Sequence, residues 1–78
     1  MKLHLNVGYA DGFRESQIAE VISALALIAP TEITRVTPHR RYSFFCVPAE
    51  RLEHVLESIQ GREHQGKTLT VEKAKERR

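Results

Sequence analysis

The segment RRYSFFCVP, residues 40–48, sets two arginines beside three aromatic side chains. The chain has 78 residues and only five aromatic ones, so this short stretch concentrates them. Read as a strand, its alternation sends Ser43, Phe45 and Val47 to one face and Tyr42, Phe44 and Cys46 to the other. Phe45 and Val47 suit a core. Tyr42 and Phe44 then stand on a face that another element must cover or that a ligand must use. The register matters, because a slip of one residue exchanges the two faces. Pro48 stops the strand and suits the first turn of a helix.

Working outward, AERLEHVLESIQG follows as a helix, with Leu52, Val55, Leu56 and Ile59 forming one apolar stripe. Gly61 is placed to take the left-handed residue after it. After a polar turn, KTLTVEKA alternates again, with Leu69 and Val71 inward. On the N-terminal side, EITRVT is rich in β-branched residues and reads as a strand. Ile33 and Val36 are three apart, which a regular strand cannot place on one side, so a bulge is expected there. Before it, Ile18, Val21, Ile22 and Leu25 make a second helical stripe, with Ser16 as the expected N-cap and Pro30 as the expected stop. LHLNV, residues 3–7, opens the chain as a half-buried strand with Leu3, Leu5 and Val7 inside, and GYADGF follows as a loop.

The order is β-α-β-β-α-β, an α+β, ferredoxin-like arrangement in which two helices cover one face of a four-stranded antiparallel sheet. The other sheet face stays open. The first and third strands lie side by side at the centre, so Tyr42 and Phe44 stand beside His4 and Asn6. Bases stack on exposed aromatic faces, and arginines neutralise phosphate or stack themselves.

Composition limits the alternatives. Seventy-eight residues make one domain near the lower size limit for independent folding. No apolar run reaches the roughly 18 residues of a membrane span. The N-terminus lacks a basic region followed by an apolar stretch, so a cytoplasmic protein is expected. A single cysteine, Cys46, excludes an internal disulfide framework. Net charge is +2, compatible with a polyanionic partner. The four histidines, His4, His39, His54 and His64, lack metal-ligand spacing, and no phosphate-binding GxxxxGK[ST] motif is present. We therefore expect no catalytic residue, no metal and no cofactor in this domain. Residues 1–74 are assigned to the domain and residues 75–78 to a basic tail, since the terminal KAKERR carries four basic residues and one acid.

This element order is that of the RRM, whose third-strand motif reads K/R-G-F/Y-G/A-F-V-x-F/Y. RRYSFFCV matches the basic first position, Tyr42 the third and Phe44 the fifth, while Arg41 replaces the glycine and Val47 the last aromatic. The departures point to a narrower likeness. Val7-Gly8 then Asp11-Gly12, Tyr42-Ser43-Phe44 then Val47-Pro48, and Gly66-Lys67 before the last strand occur in the order of the DbpA-type RNA-binding domain. The chain resembles that atypical RRM over residues 3–74. The resemblance implies a domain that follows the ATPase core of a bacterial DEAD-box RNA helicase and anchors it to structured RNA, in the best-known members a hairpin of large-subunit ribosomal RNA.

On this basis Tyr42 and Phe44 are the stacking candidates. Arg40, Arg41, Lys2 and Lys67 are the phosphate candidates, with Lys73 and Lys75 as a basic extension. His4 and Asn6 are candidates to reach base edges. Arg62, flanking the turn with Lys67, is either part of a phosphate clamp or ordinary surface charge. The expected partners are RNA and the helicase core of the same parent chain, with no membrane. The competing reading is a ferredoxin-like protein-interaction module, because one fold hosts many functions.

Overall fold

A computed structural model of the chain describes residues 1–64 and 66–74. Its elements are β1 (Lys2–Leu5), α1 (Glu15–Ala26), β2 (Thr34–Pro38), β3 (Ser43–Cys46), α2 (Leu52–Ile59), β4 (Glu63–His64), β5 (Lys67–Thr68) and β6 (Val71–Lys73). The main sheet has the order β2-β3-β1-β6, with every neighbour antiparallel. The central pair is β1 and β3, as the sequence pattern requires. The basic tail at residues 75–78, including Lys75, lies outside the described residues.

Strand alternation sorts the side chains as expected. Along β3, Ser43 and Phe45 are fully buried while Phe44 and Cys46 are half-buried on the opposite face. Leu3 and Leu5 of β1 and Val71 of β6 join Phe45 under the helices. α1 contributes Ile18, Ile22 and Ala26, and α2 contributes Val55 and Ile59. Ser43 is the exception among these core residues. Its hydroxyl donates to the Val7 carbonyl at 2.6 Å, so a buried polar group meets a backbone acceptor just beyond the end of β1.

The bulge expected between Ile33 and Val36 is present. The β2–β3 register shifts by one residue between Thr34↔Cys46 and Thr37↔Phe44, and Arg35 takes φ 51°. The extra residue brings both Ile33 and Val36 against the core.

Beyond small shifts at element ends, three boundaries differ from the sequence reading. Ser16 lies inside α1, and Arg14 is the N-cap, its N–H donating to Gln17 Oε1 at 3.0 Å. The side chain three residues on therefore satisfies the cap instead of a hydroxyl. Pro30 does not end α1. The helix stops four residues earlier, where Leu27 turns left-handed (φ 57°, ψ 45°) and its N–H returns to the Ser23 carbonyl. Pro30 instead opens a single 3-10 turn, Pro30–Glu32. Finally, residues 67–74 are not one strand. Lys67–Thr68 folds back on Glu63–His64 as a small ribbon around Gly66 (φ 81°), and only Val71–Lys73 joins the main sheet. Leu69 remains fully buried between the two pieces.

Two contacts tie the helices to their surroundings. His54 on α2 hydrogen-bonds through Nε2 to the Ala26 carbonyl at the end of α1, where the helix leaves acceptors without internal partners. Arg51 donates to Glu32 at 3.0 Å across the helix-side surface. The face of the sheet away from α1 and α2 carries no other described element.

Candidate nucleic-acid interface

The open face collects rings from three adjacent strands. Register places His4 of β1 opposite Phe44 of β3. It continues past β2, where the His39 N–H donates to the Tyr42 carbonyl at 2.7 Å. Arg40 and Arg41 are thus the two-residue tip of the β2–β3 hairpin. The strand order sets His39 and His4 on opposite sides of Tyr42. The His39 and His4 ring centroids lie 4.7 Å and 5.3 Å from that of Tyr42, with planes 31° and 27° away from it. Phe44 meets all three edge-on, at 5.4 Å from His4, 5.6 Å from His39 and 5.5 Å from Tyr42. Edge-to-face contact suits ring quadrupoles at such spacings. The Lys2 ammonium stands 4.6 Å from the Phe44 centroid, a cation–π arrangement at the edge of the cluster. Tyr42 keeps 39% of its surface exposed despite these neighbours.

The loop after β1 supports the hairpin tip through its backbone. The Tyr9 N–H donates to the His39 carbonyl at 2.8 Å, and the Ala10 N–H to the Arg40 carbonyl at 2.9 Å. Gly8 makes this approach feasible. A Cβ on it would lie 2.0 Å from the His39 oxygen and 2.8 Å from both the Arg40 oxygen and the Tyr42 nitrogen. The chain around Arg40 and Arg41 therefore rests on the Gly8–Ala10 backbone, and both arginines and Tyr9 are exposed there.

Asp11 closes the same loop. Its carboxylate accepts from the Gly8 N–H at 3.2 Å and from the Lys67 ammonium at 3.2 Å. These two hydrogen bonds, in that order, hold its carboxyl below the usual aspartate range, with the Arg41 charge adding to them. A carboxyl depressed in the folded state stabilises above its unfolded value and loses that contribution as pH falls through the folded one. Acid titration of the melting temperature should therefore show a loss beginning near the ordinary aspartate value of 3.8 and extending below it. Asp11→Asn should flatten that part of the curve. An unchanged curve in this variant would show that the loop is not held by the ionised carboxylate.

A family model, the DbpA RNA-binding domain, matches residues 2–73. This chain belongs to the DbpA RNA-binding domain family. Among solved structures, it is similar to a crystal structure titled RNA binding protein PG1, with a TM-score of 0.73 at 20% identity, covering 100% of this chain and 98% of that one. At that identity the likeness is one of fold. No curated protein matches the sequence.

Within this DbpA domain the candidate residues fall into three groups. Lys2, His4, Tyr42 and Phe44 meet in the ring cluster, with Arg40 and Arg41 at its border. Asn6 and Lys67 are placed in the framework instead. Asn6 Nδ2 donates to the Thr68 carbonyl at 3.0 Å and its Oδ1 accepts from the Thr70 N–H at 2.8 Å, clamping β1 to the segment before β6. Lys67 is paired with Asp11. The role in reading bases expected of Asn6 and the phosphate role expected of Lys67 thus compete with contacts each already makes. Lys73 is exposed, pairs with Leu3 at the end of β6 and borders a hollow with His4, Phe44 and Glu72. Arg62 directs its Nε to the Ser58 carbonyl at 3.1 Å, away from the rings.

His39 was not among the sequence candidates and belongs to the cluster. The signal for it was present. Once Arg40 and Arg41 are read as a two-residue turn, His39 must lie across from Tyr42 and share its face. Glu72 was also missed. It lies opposite His4 in the sheet and is the acidic member of the open face.

Proposed function

We propose that this domain binds RNA on its open sheet face and tethers an ATP-dependent DEAD-box helicase core, in the same bacterial, cytoplasmic parent chain, to structured RNA of the ribosome. The observation that carries the reading is the ring cluster itself. His4, His39, Tyr42 and Phe44 are gathered on an uncovered sheet face between Lys2 and the Arg40–Arg41 tip. Rings of this kind accept splayed-out bases by stacking, and cations at the margin take the phosphates that connect them. Membership of the DbpA family supports RNA as the ligand. Such a domain is an accessory without chemistry of its own. Binding raises the concentration of nearby duplex at the helicase core, where ATP is hydrolysed.

The test is a titration with structured ribosomal RNA fragments and a scrambled hairpin at two salt concentrations. Tyr42→Ala should cost about 1–3 kcal/mol of binding, the usual range for losing one stacking ring. Arg40→Ala/Arg41→Ala should weaken binding to all RNAs. It should also reduce the slope of log affinity against log salt by about 1.4, at roughly 0.7 per phosphate contact with a single strand. Circular dichroism should be unchanged in both, because the altered side chains are exposed. Binding that survives both changes would move the interface to another face. Failure of the wild type to bind any RNA would favour the protein-interaction module.

A further inference from the structure

A groove on the helix side of the domain has no part in RNA binding by the sheet face. Two adjoining hollows of about 250 and 210 Å³ lie between α1 and the β4–β5 ribbon and share Glu20, Val21 and His64. Ala24 and Leu25 line the larger, and Phe13 the smaller. Val21 and Leu25 are only partly buried against the core, and Ala24 is exposed, so the wall that α1 gives the groove is largely apolar. His64 closes the ribbon side, its ring centroid 5.4 Å from that of Phe13. The charge around the groove is of one sign. α1 and α2 carry Glu15, Glu20, Glu53 and Glu57, all exposed, and neither helix has a lysine or arginine. Of the cations in and beside the ribbon, Lys67 pairs with Asp11, and Arg62 donates through Nε to the Ser58 carbonyl.

We propose that this groove docks a basic amphipathic segment of a protein, with apolar side chains in the hollows and lysines or arginines against Glu20 and the acidic helix layer. The inference stands whether or not the sheet face binds RNA. Each hollow is smaller than the roughly 300–1,000 Å³ of a small-molecule site, so it suits single side chains of a polypeptide. RNA is the wrong occupant, because the glutamates repel phosphate. An isologous pair of copies would set the glutamates of one against those of the other. A cationic segment has neither problem. Its apolar anchors lose water in the hollows, and its charge complements the surface and steers the approach. Anchors at i, i+3, i+4 and i+7 laid along a groove are a recurring mode of helix recognition. The groove and the ring cluster lie on opposite sides of the sheet, so the two ligands do not compete.

The probe is a synthetic peptide of about 15 residues, with leucines at the i, i+3, i+4 and i+7 positions of a helix and lysines between them. Two controls accompany it, a scrambled peptide of the same composition and one with glutamates in place of the lysines. All three are titrated against the whole chain by fluorescence anisotropy, and contacts are mapped by amide chemical shifts on isotope-labelled protein. Wild type should bind the lysine peptide at least about tenfold tighter than either control, with shifts centred on Val21, Ala24, Leu25 and His64. Glu20→Lys and Ala24→Arg change exposed positions of α1, so circular dichroism should match wild type. Glu20→Lys should weaken binding about fivefold, the effect of one good exposed ion pair. Ala24→Arg should abolish it, because a cation then fills the groove. Failure of the lysine peptide to bind, equal binding of a control, or shifts on the sheet face overturns the proposal. So does unchanged affinity in Glu20→Lys or in Ala24→Arg. Sedimentation velocity of the free protein tests the remaining occupant. Self-association that is lost in Ala24→Arg would give the groove to a second copy and overturn the proposal as well.

Discussion

Replacing Phe45 with alanine is expected to remove about 3–5 kcal/mol of stability, the usual range for emptying a buried phenylalanine site. Phe45 is fully buried, sits on a central strand and pairs with Leu3. Neighbours from the sheet and helices cannot collapse into its volume without moving the strands that carry the rings. A domain of 78 residues has a total stability of roughly 4–12 kcal/mol at ordinary values per residue. The variant should therefore be partly unfolded at 37 °C or close to it, with a sharply lower denaturation midpoint in urea. Phe44→Ala removes the same side chain one residue away, from the opposite face, where the ring is only half-buried. It should cost clearly less stability and should instead weaken RNA binding. The pair is a direct test of register. If Phe44→Ala proved the more destabilising of the two, the faces of β3 would be exchanged and the ring cluster would not be the interface.

That register was the weakest point of the sequence reading, because β3 carries apolar side chains on both faces and buries the polar Ser43. Phe45 and Val47 alternate with Tyr42, Phe44 and Cys46, which a core could also take, and only the order of the elements left that second face uncovered. The bulge in β2 was more legible, since Ile33 and Val36 could reach the core only if one residue were extra. The helices were clear from their apolar stripes, but their ends were not. Ser16 has the right chemistry for a cap, yet Gln17 reaches back to Arg14, and the choice between them depends on where the loop delivers the chain. Leu27 gives no sign of a left-handed turn, because that conformation goes with the return of the Ile28 N–H to the Ser23 carbonyl and of the Ser23 hydroxyl to the Ile28 carbonyl. The split of the last strand turns on the local ribbon around Gly66 and on the Asn6 clamp, which joins distant parts of the sequence. The same holds for the site. Tyr42 and Phe44 could be found by local alternation, whereas pairing across strands was needed to bring in His39 and Glu72 and to reveal that Asn6 and Lys67 are already engaged.

Gly8→Ala should be the most damaging single-methyl change in the chain, and it acts on the interface more directly than Phe45→Ala. The backbone at Gly8 is extended, with φ −147° and ψ −164°, so an alanine could adopt it without conformational strain. The obstacle is space. The added carbon would lie 2.0 Å from the His39 oxygen, with Arg40 and Tyr42 backbone atoms also too close, and no rotamer change can clear main-chain atoms. Either the loop or the hairpin must retreat, breaking the Tyr9–His39 and Ala10–Arg40 hydrogen bonds. Overpacking of this kind costs about 3 kcal/mol at the upper end of its usual range. Gly12→Ala is the control. Gly12 has φ 86° but nothing within 4 Å of an added Cβ, so it should pay only the left-handed penalty of about 1–2 kcal/mol. The two variants should separate further in binding. Gly8→Ala displaces the support beneath Arg40, Arg41 and Tyr42, so molecules that remain folded should bind RNA as weakly as Arg40→Ala/Arg41→Ala. Gly12→Ala, once folded, should bind like wild type. Normal stability and normal RNA affinity in Gly8→Ala would show that the tip does not depend on this backbone contact, and the link between the first loop and the interface would have to be abandoned.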